Sequence, residues 1–311
     1  MTNSRPETVY SHLQSLQKGL CSVLEQEERG HGFIADVWER PAGTDALSGR
    51  GLTATLEGGA VLERAGVALS DVSGTRLPPA ATARNPNLAG TPFRAMGVSA
   101  VIHPRSPLVP TAHLNVRCFT AGEIWWFGGG FDLTPYLPIE EDVRRWHQAA
   151  AQACKPFHAQ LYPRLRAHCD EYFYLRHRGE ARGVGGIFFD DLNADTEIFG
   201  MPWDRCFEFM QSVGTHFQQA YLSLLQQRRD GATGERERRY QLYRRGRYAE
   251  FNLLHDRGTL FGLQSGGRTD AILMSMPPLA QWAYRSPDPE LDDKLLPYLT
   301  TLRGRDWLAT P

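Results

Sequence analysis

The six residues His113-Leu114-Asn115-Val116-Arg117-Cys118 alternate polar and apolar without a break. Side chains of a β-strand point to opposite faces with period two, so this pattern predicts a strand with two unlike faces. His113, Asn115 and Arg117 line one face; Leu114, Val116 and Cys118 line the other. An imidazole, an amide and a guanidinium side by side supply an acid/base group, an adaptable hydrogen-bonder and an anion clamp. The same alternation also describes an antiparallel strand with one solvated face, so taken alone it leaves both readings open.

The flanks extend the sheet. Gly97 to His103 is a predicted strand stopped by Pro104, and Arg105 to Pro110 is a proline-rich turn. Glu123 to Phe127 follows across the Ala121-Gly122 turn. Gly128-Gly129-Gly130 then gives the backbone conformations closed to other residues, or lets a ligand approach it. The run is not G-x-G-x-x-G and no P-loop lysine follows, so it does not read as a nucleotide loop.

Elsewhere, Pro6 to Glu28 carries apolar residues at helical spacing, with Gly30 as a stop. Gly32 to Arg40 and Gly51 to Glu63 read as strands, with a hairpin at Gly58-Gly59. Gly74 to Pro92 lacks periodicity and reads as a surface loop. Helices are expected over Pro138 to Lys155, carrying His147, and over His158 to Arg178, carrying His177. Gly183 to Phe189 reads as a buried strand, closed by Asp190-Asp191 as a turn and helix cap. Trp203 to Arg229 is a long amphipathic helix, and Gly234 to Arg247 a basic stretch read as a solvated helix or the wall of an anion pocket. Tyr248 to His255 and Thr259 to Gln264 suggest a hairpin, Ala271 to Met276 a further strand, and Asp288 to Thr301 a closing helix.

Strands mixed with separate helices, without regular alternation of the two, predict an α+β fold. The expectation is one domain over residues 1–311: a large, mostly antiparallel β-sheet flanked on both faces by α-helices, an α/β/α sandwich.

Composition narrows the function classes. The formal net charge is −1, which gives no overall field favouring nucleic acid or an anionic membrane. Only Lys18, Lys155 and Lys294 among the 34 basic residues are lysines, so no arginine is informative merely for being one. The five cysteines are odd in number and none stand in C-x-x-C spacing. A disulfide framework, a zinc ribbon and a cysteine-bound iron–sulfur cluster are therefore unsupported, and reduced cytoplasmic thiols are expected. The first residues lack the apolar core of a secretory signal, and no apolar run is long enough for a membrane span.

Longer strings carry a resemblance. Gly97 to His103 (GVSAVIH), His113 to Arg117 (HLNVR), Trp125 to Pro135 (WWFGGGFDLTP), Glu171 to Arg178 (EYFYLRHR), Arg182 to Asn193 (RGVGGIFFDDLN), Leu242 to Gln264 and Ile272 to Pro278 (ILMSMPP) follow one order. Together they resemble the oxygen-dependent coproporphyrinogen III oxidases, over roughly Gly51 to Trp307. The resemblance implies an α/β/α fold and a homodimer joined through about residues 248–282. It implies oxidative decarboxylation of two propionates of coproporphyrinogen III to vinyls, giving protoporphyrinogen IX. O2 is the co-substrate, CO2 and hydrogen peroxide are released, and no organic cofactor is needed.

Residue by residue, the resemblance makes His113 the general acid and Asp132 a catalytic carboxylate engaging the pyrrole nitrogens. It makes Ser99, Asn115, Val116 and Arg117, with Gly266, Gly267 and Arg268, the substrate contacts. Arg182 joins them as a further guanidinium for a four-carboxylate substrate. His103, His113, His147 and His177 match four histidines assigned to a divalent metal, Mn2+ or Mg2+, in bacterial members. Their spacing contains no compact ligand motif, so they either surround an ion or serve as separate acid/base and packing residues. Two rival readings are a non-catalytic carrier of anionic tetrapyrroles and an RNA-binding module built on Gly234 to Arg247. A radical iron–sulfur enzyme for the same step would need clustered cysteines that this chain lacks.

Overall fold

The computed structural model describes residues 4–41, 47–75, 90–264, 267–301 and 305–309. Most of the Gly74–Pro92 loop, Gly266 and the last two residues lie outside that set.

The chain opens with helix α1 (Ser4–Glu27) and then lays down six strands in succession. These are β1 (Ile34–Arg40), β2 (Ser48–Glu57), β3 (Leu62–Gly74), β4 (Phe93–Pro104), β5 (Thr111–Ala121) and β6 (Ile124–Thr134). Each pairs antiparallel with the one before it. Strand β9 (Gly185–Leu192) then adds to β6, so the sheet order is β1-β2-β3-β4-β5-β6-β9. Between β6 and β9 come α2 (Glu140–Cys154), α3 (Leu161–Tyr172) and the small β7 (Tyr174–Leu175) and β8 (Glu180–Ala181) pair. Helices α4 (Trp203–Arg228), α5 (Glu235–Leu254), α6 (Arg257–Gln264), α7 (Thr269–Leu273) and α8 (Pro289–Thr300) complete the described chain.

The alternation in β5 decides which layer each face meets. Leu114, Val116 and Cys118 are fully buried and join Val98, Ala100 and Ile102 of β4 in the core. That face is covered by α1 and α4, which contribute Leu13 and Leu20, and Phe209, Val213 and Phe217. Each such side chain stabilises the fold by about 1.5–3 kcal/mol on full burial. The opposite face meets α5 to α7. The Tyr248 ring of α5 lies edge-on to His103, with centroids 5.0 Å apart. A Cβ at Gly66 of β3 would fall 2.6 Å from Met274 Sδ. Arg268, just before α7, crosses to Asp36 of β1. The sandwich predicted from sequence is the observed one.

Several local expectations are corrected. The strand expected to end at Phe127 runs on through Gly128 to Gly130 as part of β6, and Asp190 and Asp191 lie within β9 rather than at a turn and helix cap. The second helix ends at Tyr172, so His177 sits in the turn between β7 and β8. Tyr248 to Leu254 are the last turns of α5, and 259–264 and 271–273 are helical too, so the expected hairpin and strand are absent. The segment YAEFNLL fits either period over so few residues. Burial does not separate the two, since all five residues from Tyr248 to Asn252 are buried; the segment is helical as the continuation of α5 from Glu235, and only Leu253 and Leu254 at its end are exposed. The basic stretch is solvated only in its first half, where Arg236 and Arg239 are exposed. Arg244 pairs with Glu180 and Arg245 with Glu63, all buried. These arginines therefore offer RNA no open stripe.

Candidate active site

Sheet register builds the site. His113 pairs across with Val101 and Asp132, Asn115 with Ser99 and Gly130, and Arg117 with Gly97 and Gly128. Directly paired residues share a face, so Ser99, His113, Asn115, Arg117 and Asp132 all stand on the side roofed by α5 to α7. The row through Asn115 runs on through Ser99, Ala68 and Thr53 to Asp36, where Arg268 lands. Glycines keep this floor low. A Cβ at Gly128 would stand 2.8 Å from Arg117 Nε and 3.1 Å from Asp190 Oδ1. Gly129 and Gly130 have φ of 155° and 143° beside a register shift between β6 and β9, a backbone that side chains oppose.

One end of the floor is dry. Asp132 is 1% exposed and accepts two hydrogen bonds from Arg182 Nη2, at 2.8 and 2.7 Å. Its Oδ1 also stands 2.9 Å from His113 Nδ1. Burial alone would raise the Asp132 carboxyl, but Arg182 and His113 overcome it and its pKa lies below the ordinary value. An ionised Asp132 requires His113 to carry its proton on Nδ1, which leaves Nε2 as the working nitrogen. The Arg182 guanidinium lies over the rings of Phe173, Tyr248 and Phe251, at 4.2, 4.4 and 4.7 Å.

The other end is wet. Arg117 donates to Asn115 Oδ1 at 3.0 Å and to Asp190 Oδ1 at 2.9 Å, with its side chain 36% exposed. Burial opposes its charge, yet Asp190 holds its pKa above the ordinary value. Arg257 approaches the same carboxylate at 3.8 Å. Two guanidiniums, those of Arg117 and Arg257, thus flank the Asp190 carboxylate at this end. Asp190 and Arg257 were not singled out as site residues from sequence. Counting alternate residues from Phe188, which pairs with Gly130, places Asp190 on the floor beside Gly128.

Other expected site residues are placed differently. Val116 is fully buried on the core face, so only its backbone reaches the floor. Arg182 is buried and both its Nη atoms are engaged, by Asn252 and Asp132, so its charge is used inside the protein rather than on the open floor. Gly267 donates its N–H to Gly262 O at 2.8 Å in the turn that presents Arg268, and Gly266 lies outside the described residues. The four histidines are held apart. His103 is bound to Thr111 Oγ1 and Ser275 O, and His147 to Val184 O and Tyr162. His177 engages Glu250 and His255, and His113 engages Asp132. Burial, aided by Arg245 and Arg64, keeps His103 neutral; burial also lowers His147 to about 3. Among the described residues no three His, Cys, Asp or Glu side chains are grouped to hold a metal ion, so the quartet does not fit one site.

The family model for coproporphyrinogen III oxidase matches residues 8–307. The chain belongs to the coproporphyrinogen III oxidase family. That makes it an oxidoreductase of porphyrin and haem synthesis. In a coproporphyrinogen III oxidase, arginines facing an open floor suit a substrate bearing carboxylates, and a dry histidine–aspartate pair suits proton handling. No helix among the described residues is long and apolar enough to cross a membrane.

Proposed function

We propose that the chain converts two propionates of coproporphyrinogen III to vinyls, using O2 as oxidant and releasing CO2 and hydrogen peroxide. For each propionate, the carbon attached to the ring, β to the carboxylate, gives up one hydrogen with its electron pair; the carboxylate leaves as CO2 and its bonding pair closes the vinyl double bond; and O2, taking that hydride and one proton from solution, becomes H2O2. The observation that supports this reading best is the pairing of His113 with ionised Asp132 at one end of a glycine-lowered floor whose other end carries Arg117. His113 moves the proton at the reacting pyrrole or at the peroxide. Arg117 and Arg268 hold carboxylates that are not reacting, which fixes the one that is. Asp132 serves the ring through His113, because its oxygens are taken by Arg182 and His113. No step here is routed through a metal.

A homodimer joined through residues 248–282 is part of the same proposal. Leu253, Leu254, Leu260, Leu263, Leu279 and Trp282 are exposed there, so the contact would be helical rather than a strand edge. The described cysteines are all free, in keeping with a reducing, cytoplasmic setting.

The test is to incubate the protein with coproporphyrinogen III with and without O2 and follow vinyl product, CO2 and peroxide. Stoichiometric release of all three only with O2 is expected. A folded sample that binds substrate but forms no vinyl product would instead establish a carrier.

A further inference from the structure

The dry end does not stop at Arg182. Arg182 Nη1 donates to Asn252 Oδ1 at 2.7 Å, and Asn252 stands on α5, in the roof. Asn252 Nδ2 in turn donates to Ser275 Oγ at 3.4 Å, and Ser275 O stands 2.9 Å from His103 Nε2. Asn252 is 4% exposed, Arg182 3% and Asp132 1%, so water does not compete for these bonds. Arg182 precedes β9, Asp132 is on β6 and His113 on β5. The helix that roofs the cleft is thus tied by three successive polar contacts to the ring that faces it.

We propose that Asn252 is a positioning residue for the reaction: through Arg182 and Asp132 it fixes the orientation of the His113 imidazole. This rests on the role given to His113 above. The physical argument is one of degrees of freedom. A guanidinium over three aromatic faces is held at the right height, but those contacts leave it free to turn in its plane. Asn252 is a second in-plane partner, and with it Arg182 can present Nη2 to both oxygens of Asp132 at once. Without that anchor Arg182 can turn, Asp132 can follow, and the His113 Nδ1 bond loses its fixed direction.

The test compares Asn252→Leu and Asn252→Ala with Asn252→Asp. The first two remove the acceptor, one filling the volume and the other emptying it. The third keeps an oxygen at the same place. The first readout needs no turnover: the far-downfield proton resonance of the His113–Asp132 hydrogen bond, assigned by its loss in His113→Asn. It is expected to broaden or vanish in the Leu and Ala variants and to persist in the Asp variant. In steady state the Leu and Ala variants should lose kcat by about 10- to 100-fold, as when an outer partner of a functional histidine is removed. Their KM should stay near the parent value, and the Asp variant should recover most of kcat. An unchanged resonance and kcat in either acceptor-free variant that folds overturns the proposal. So does a loss in Asn252→Asp as deep as in Asn252→Leu. If the parent protein makes no vinyl product, the reading of function fails, while the resonance still decides whether Asn252 orients His113.

Discussion

His113 and Arg117 stand four residues apart on one strand, roughly 13 Å at about 3.3 Å per residue, and live in different solvents. The His113 ring is itself 21% exposed, but the polar groups lined up behind it are buried: Asp132, Arg182 and Asn252 are each under a tenth exposed. Around Arg117 the partners are in reach of water, with Asp190 15% and Arg257 48% exposed at the side chain. An ion pair in the dry end gains strength from the low dielectric but cannot be exchanged cheaply. One in the wet end is weak and can trade partners. A proton-transfer group needs the first environment, and a handle for an incoming carboxylate needs the second. The glycines let both lie under one flat ligand.

The largest effect should follow from breaking the dry end. Asp132→Ala leaves Arg182 as a buried charge with its main partner gone, which costs about 3–5 kcal/mol of stability. It also frees the His113 ring, and kcat should fall by about 10²- to 10⁴-fold, the usual contribution of a positioned acid/base group. Steady-state rates beside a denaturant melt measure both. Asp132→Asn keeps the shape and separates the two effects. Near-normal turnover in either variant would remove the dry end from the reaction.

The wet end should respond in the opposite way. Arg117→Ala removes a half-exposed cation whose pair contributes at most about 1 kcal/mol to stability. It should nevertheless raise KM by about 10- to 100-fold, the worth of one charged hydrogen bond of about 1.5–3 kcal/mol, and leave kcat much less changed. A kcat loss matching that of Asp132→Ala would erase the distinction between the ends.

Acid should undo the buried pairs first. Glu250 holds Arg178, His177 and Trp282, and although burial opposes its charge these partners bring its pKa down from 4.5 to about 2. Asp132 is lowered too. A depressed carboxylate contributes stability that is complete above its unfolded pKa and is lost as pH falls through the folded one. The melting temperature should therefore drop most steeply between about pH 4.5 and 2. Glu250→Gln should lower stability near neutral pH and flatten that acid limb, which thermal melts across the pH range would show. An unchanged limb would mean that these pairs do not hold the roof.

How much of this was readable in the chain follows from what each element depends on. The alternation in His113–Cys118 gave the strand, its two faces and three floor residues, because period two is a local signal. The sheet and the covering helices followed from the same kind of pattern. Asp190 and Asn252 were not found, because their roles arise from pairing across residues 73 and 70 positions away. Arg182 was assigned to the substrate on charge alone, and only its burial shows that the protein itself consumes that charge. Tyr248 to His255, Thr259 to Gln264 and Ala271 to Met276 read as strands because a short apolar run fits two periods, and packing against the sheet decides between them. The resemblance implied chemistry that no spacing could, and it also implied a metal quartet, whereas among the described residues no three such side chains are grouped to hold an ion.

The smallest effect on turnover is expected where that quartet would have placed a ligand. His147 is on α2, stacked on Trp307 with ring centroids 5.6 Å apart, and bonds Tyr162 and Val184 O. None of these touches the floor. His147→Phe keeps a ring for the stack and strands the Val184 carbonyl, at a cost of about 1–3 kcal/mol. Turnover by the folded fraction should stay within about threefold of the parent, as for a change remote from the site. Manganese added to a metal-stripped sample should alter the two proteins alike. A deep loss in kcat, restored by excess manganese, would show that His147 reaches the reaction through an ion and would join this third region to the dry end.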